Sequence, residues 1–96
     1  MIAKDQLRLY RIMKSLNSLT TEIKYCQACR LAKTRTNVVP GEGSTQSGLM
    51  FIGEAPGLHE DQQGKPFVGA AGKFLDELLA MIGFNREEVY ISNIIK

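Results

Sequence analysis

The order of elements from residue 49 to residue 96 constrains this chain most. LMFIG, at 49–53, is a short apolar run bounded by glycine and an acid. Such a run predicts a buried strand. GEAPGLHEDQQGKPFVGAAG follows at 53–72, with five glycines and two prolines. Then Ala70, Ala71, Phe74, Leu75, Leu78, Leu79 and Ile82 recur at helical spacing, with Asp76 and Glu77 on the other face. This predicts an amphipathic helix that Gly83 ends. Asn85 and Glu88 have capping-box spacing, with Phe84 and Val89 placed to staple one further turn. VYISNII, at 89–95, reads as a second strand. Strand, loop, helix, strand is a βαβ unit, which belongs to a parallel sheet. Two strands make no stable α/β sheet. The expected fold is therefore part of a larger α/β domain.

The preceding residues divide in two. Residues 1–25 read as an N-terminal helix, with Leu9, Ile12, Met13, Leu16, Leu19 and Ile23 at helical spacing over 5–23. Residues 26–48 hold a cysteine pair and a loop, TRTNVVPGEGSTQSG, with a short extended piece expected at Val38 and Val39. No internal repeat or low-complexity segment occurs. No apolar run approaches the roughly 20 residues of a membrane span. The first residues, MIAKDQLRLYRIMK, interrupt their apolar positions with charges, unlike a signal peptide. The expectation is a cytoplasmic protein with no membrane partner.

Charge is uneven. Residues 1–48 carry eight Lys or Arg against three acids, a net +5, and residues 49–96 carry four against seven, a net −3. Lys24, Arg30, Lys33 and Arg35 cluster around the cysteines. That suits a phosphate backbone, and it equally suits a solvated basic surface. Cys26 and Cys29 form C-x-x-C, which without a secretion signal is more often metal-binding or redox than structural. A redox dithiol of the thioredoxin kind sits at a helix start after a strand, whereas this pair follows a long helix.

In open α/β sheets, ligands bind beyond the carboxyl ends of the strands. GEAPG leaves the first strand and SN ends the second. Gly53 and Gly57 permit close backbone approach or sharp turning, and Pro56 stiffens the turn. Glu54, Glu60 and Asp61 place carboxylates around the same mouth, where acids can orient water or stabilise a developing cation. Carboxylates bind phosphate poorly, and neither glycine-rich nucleotide pattern is present. Phe67 offers a flat face for a planar ligand, or it covers the sheet as a core residue. Asn93 can pair side by side with an amide-like edge, or it caps the following turn. His59, the only histidine, reads as a surface residue.

Taken in order, CQAC, VPGEG, GEAPGLHED, GKPFVGAAGKFLDELL and VYISNIIK resemble the family 4 uracil-DNA glycosylases, iron–sulfur enzymes of thermophilic bacteria and archaea. The resemblance covers most of the chain from residue 26 onward. It implies a three-layer α/β/α sandwich with a mainly parallel sheet, of which this chain supplies an N-terminal part: one βαβ unit and the N-terminal helix. It implies hydrolysis of the N-glycosidic bond to excise uracil from DNA in base excision repair. Gly53, Ala55, Pro56 and Gly57 would line the pocket, with Glu54 and Glu60 as its catalytic acids. Phe67 would stack on the flipped uracil and Asn93 would hydrogen-bond its edge. Cys26 and Cys29 would be two ligands of a structural 4Fe–4S cluster.

A 4Fe–4S cluster takes four thiolates, and this chain has two cysteines. By the resemblance, the other two cysteines, a late histidine and a DNA-intercalating loop lie past the strand matching VYISNIIK. The expectation is that residues 1–96 alone release no uracil. Expected partners are uracil-containing DNA, with a sliding clamp and a chain completing the metal site as further candidates. The rival reading is a nucleic-acid-binding half-domain that assembles with a partner and binds metal through Cys26 and Cys29.

Overall fold

The computed structural model describes residues 15–96. The first part of the expected N-terminal helix, with Leu9, Ile12 and Met13, lies outside the described residues. The remainder is helix α1, Leu16–Lys24. The Ser15 hydroxyl caps it by accepting the Ser18 N–H at 3.1 Å. A 3₁₀ turn at Arg30–Lys33 leads to strand β1, Glu42–Gly43. Strand β2 is Met50–Gly53, helix α2 is Leu58–Gln63 and helix α3 is Ala70–Met81. A second 3₁₀ turn, Arg86–Glu88, precedes strand β3, Tyr90–Asn93.

The three strands form one small mixed sheet in the order β1-β3-β2. β2 and β3 are parallel, pairing Met50 with Tyr90, Phe51 with Ile91, Ile52 with Ser92 and Gly53 with Asn93. β1 is antiparallel to β3, with Glu42 opposite Ile91. The expected βαβ unit is thus present, and the fold class is α/β. Two elements differ from expectation. The strand in the loop forms at Glu42–Gly43, not at Val38 and Val39, although the Val39 N–H does bond the Lys96 carbonyl at 2.8 Å. The motif loop also contains a helix of its own, α2.

α3 packs Leu79 against Val89 and Ile91, and Phe51, Phe67, Leu75 and Phe84 close around that cluster. Full burial of a residue such as Leu79 contributes about 2 kcal/mol. α3 stops as its sequence predicts. Gly83 takes the left-handed conformation, its N–H bonds the Ala80 carbonyl, and the Phe84 N–H bonds the Leu79 carbonyl. This pair of hydrogen bonds is a Schellman stop, and Phe84 then packs back toward Leu79. The apolar stripe of α3 is wider than the surface it buries: Phe74, Leu78 and Ile82 remain exposed. Three short strands offer one narrow face, and only Gly72, Leu75 and Leu79 turn into it.

Candidate functional site

β2 and β3 end side by side, so Gly53 and Asn93 share one level and one face of the sheet. A Cβ on Gly53 would lie 2.3 Å from Asn93 Oδ1 and 2.6 Å from Phe67 Cζ. The glycine therefore lets an amide and an aromatic ring converge over the strand ends. Asn93 is only 3% exposed. Among the described residues its carbonyl accepts hydrogen bonds, while its side-chain amide has no protein partner. Among the described residues no side-chain polar atom is both fully buried and unpartnered, so the amide keeps its contact with solvent. An uncommitted donor–acceptor pair beside an aromatic face can read the edge of a planar ligand.

Phe67 reaches this position through an uncommon backbone. Its φ is +52°, the left-handed region, where a bulky side chain costs about 1–3 kcal/mol. The turn is held from below by α3. A Cβ on Gly72 would lie 1.8 Å from the Phe67 carbonyl oxygen, so only glycine lets the helix start there. Phe67 is half-buried against the Leu79, Val89 and Ile91 cluster while the tip of its ring meets Gly53. The core and ligand readings of this residue are therefore not exclusive.

The remaining expected site residues fall in three other places. Glu60 is half-buried, with its carboxylate over the glycines that precede α2 and α3: Oε2 lies 3.1 Å from a Cβ built on Gly57, and Oε1 lies 3.7 Å from one built on Gly69. Glu54 follows β2 at the exposed rim, where its carbonyl accepts the Ile95 N–H at 3.0 Å. Ala55, Pro56 and Gly57 border a separate cavity of about 480 Å³, together with Cys26, Cys29 and Ile94. Both thiols are free and exposed. The Cys26 N–H bonds the Ile23 carbonyl, and Cys29 precedes the first 3₁₀ turn. Leu31, Leu58 and Ile95 give that cavity apolar walls. Soft thiolates in apolar surroundings are the chemistry an iron–sulfur cluster takes, and two thiols are half of the four that a 4Fe–4S cluster needs. No group of three or more His, Cys, Asp or Glu is placed to hold a metal ion among the described residues.

Two further residues organise these places. Asp61 Oδ1 accepts the N–H groups of Thr36 and Asn37 at 2.8 and 3.1 Å. The Asn37 amide returns bonds to the carbonyls of Asp61 and Gln62. The Cys-bearing loop is thereby fastened to α2. The same bonds, Asn37 first and then Thr36, hold the Asp61 carboxyl below its ordinary pKa. A lone Asp in an acidic helix gives no sequence sign of this. Of the basic cluster, Arg35 is engaged internally, donating to the Cys26 carbonyl at 2.7 Å. The Lys24 ammonium lies 5.8 Å from the Tyr25 ring centre, and Arg30 and Lys33 stay exposed.

Open α/β sheets bind ligands beyond the carboxyl ends of their parallel strands, and Gly53, Asn93 and Phe67 meet at such ends here. The uracil DNA glycosylase superfamily model matches residues 40–96, which contain this crevice, and the chain belongs to that superfamily. Curated relatives include type-4 uracil-DNA glycosylases. The Archaeoglobus fulgidus protein is 55% identical over 84 residues, covering 88% of this chain and 42% of the relative. The Saccharolobus solfataricus protein is 51% identical over 85 residues, 88% of this chain and 39% of the relative. The Thermotoga maritima protein is 46% identical over 88 residues, 92% of this chain and 46% of the relative. The chain thus spans less than half the length of these relatives.

Proposed function

We propose that this chain builds one wall of the base pocket of a uracil-DNA glycosylase, a DNA-repair hydrolase. The observation that carries this reading is the convergence of Gly53, Phe67 and the Asn93 amide at the paired strand ends. Uracil must leave the base stack to be reached. Phe67 supplies a face for the flipped base. Asn93 donates to O4 and accepts from N3–H, a pattern that cytosine reverses. Gly53 lets the base approach the sheet. Bond cleavage leaves negative charge on uracil and cationic character on the sugar. Donors aimed at the base stabilise the first, and Glu54 and Glu60 stabilise the second or position water.

Cys26 and Cys29 would hold two corners of a 4Fe–4S cluster, with two more thiolates from outside these 96 residues. Bound there, the cluster would supply a structural cross-link. Asp61 would carry that rigidity from the Cys-bearing loop to α2. We extend the fold reading to a three-layer sandwich: Met50 and Ile52 are exposed on the sheet face away from Phe51, as a further layer would require. The setting is cytoplasmic, and among the described residues no helix is long and apolar enough to cross a membrane. A second reading, a half-domain that completes its metal site with a partner chain, is favoured by the exposure of both thiols.

The test is a titration of the chain with uracil and with cytosine, followed by amide NMR. Shifts at Gly53 and at the Asn93 side chain with uracil but not cytosine are expected. Identical responses to both bases, or none, would overturn the pocket reading.

A further inference from the structure

Arg86 follows the capping residue of a surface 3₁₀ turn, yet its side chain is only 18% exposed. Its guanidinium joins three separate elements. One terminal nitrogen donates to the Pro66 carbonyl, immediately before Phe67. The other bonds Asp76 Oδ1 on α3 at 3.0 Å. Nε faces Glu42 Oε1 on β1 at 3.5 Å. Pro66 is itself fully buried. The turn carrying Phe67 is therefore fixed on both sides, with the Phe67 carbonyl against Gly72 and the Pro66 carbonyl on Arg86.

A residue with φ at +52° has a more comfortable backbone available and needs such restraint. The planar fork of arginine presents its donors to the Pro66 carbonyl and the Asp76 carboxylate in a fixed geometry, which the compact ammonium of lysine does not reproduce. Nothing in the Arg86 contacts touches the crevice. Of these contacts, the bond to the Pro66 carbonyl is the one that reaches the turn carrying the Phe67 ring.

We propose that Arg86 is a positioning residue for the base pocket, holding the Pro66–Phe67 turn so that the ring stays over Gly53 and beside the Asn93 amide. Its bearing on catalysis rests on the base-pocket reading of Phe67 and Asn93.

The test compares amide NMR spectra of the ligand-free chain with those of Arg86→Met, Arg86→Lys and Asp76→Asn. The Gly53 amide and Asn93 side-chain resonances lie beside the ring and report its orientation. Arg86→Met should displace both. Arg86→Lys should displace them in the same direction, and it carries the test alone should the methionine variant fail to fold. Asp76→Asn, which leaves the Pro66 bond in place, should leave both unmoved while lowering the unfolding temperature. Unmoved Gly53 and Asn93 signals in the folded Arg86 variants would overturn the proposal. So would equal displacement in Asp76→Asn, because the ring would then follow α3 and not Pro66. Adding uracil to the unmodified chain tests the pocket reading separately: absence of a response there removes the ligand, while the ligand-free spectra still decide the role of Arg86.

Discussion

Gly53 has room for a hydrogen and nothing larger. Gly53→Ala should push Asn93 Oδ1 and the Phe67 ring aside, since the added carbon would lie 2.3 and 2.6 Å from them. Both are side-chain ends, so the fold should survive while, on the base-pocket reading, uracil binding is lost. NMR titration beside a thermal melt checks this. On the base-pocket reading, Asn93→Ala removes a two-point reading of the base edge, worth about 1–3 kcal/mol of discrimination. The preference for uracil over cytosine should fall roughly five- to 150-fold by that conversion. Gly72→Ala is the opposite case. Its added carbon meets the Phe67 backbone oxygen at 1.8 Å, and backbone cannot swing away. Overpacking of this kind costs about 1–3 kcal/mol, less the gain from placing alanine in a helix. The unfolding temperature should drop by several degrees, at about 4–8 °C per kcal/mol in a domain this small.

Between elements, stability is concentrated in a few fastenings. Gly83 has open space where a side chain would go, so Gly83→Ala should report backbone strain without steric clash. Denaturant unfolding should show a loss of about 1–2 kcal/mol. The Asp61 bonds join the Cys-bearing loop to α2 and make their contribution depend on pH. The folded carboxyl is held below its ordinary value of 3.8, so the unfolded chain binds the proton more readily. The contribution is complete above the unfolded value and is lost as pH falls through the folded one. Thermal melts of the protein and of Asp61→Asn should therefore differ at neutral pH and converge in strong acid. Elements with apolar patterning were legible in advance: β2, α3, the Gly83 stop and the 3₁₀ turn before β3. Those defined by tertiary contact were not. Glu42 and Gly43 have poor strand propensity, and only pairing with β3 makes them a strand. Leu58–Gln63 carries one apolar residue, so no stripe announces α2.

For the molecule as a whole, the candidate site was legible as a set of positions but not as a geometry. Strand ends, glycines and the acids of the motif loop could be numbered. Their division between the Gly53 crevice and the Cys-lined cavity depends on folding. Arg86 and Asp61 were invisible in these roles, because their partners lie 10 to 44 residues away in the chain. On the iron–sulfur reading these residues hold two of the four thiolates a cluster needs, so residues 1–96 should release no uracil from single-stranded DNA in a product assay. The pairing of Gly53 with Asn93 also makes the floor of the crevice a matter of counting. Strands advance about 3.3 Å per residue and present alternate faces. A slip of one residue would put Ser92 or Ile94 opposite Gly53 and turn the asparagine to the far side. An insertion or deletion between the strands is harmless only where a loop absorbs it whole. Selectivity in such a lineage can drift by exchanging side chains at fixed addresses, never by sliding the ladder that holds them.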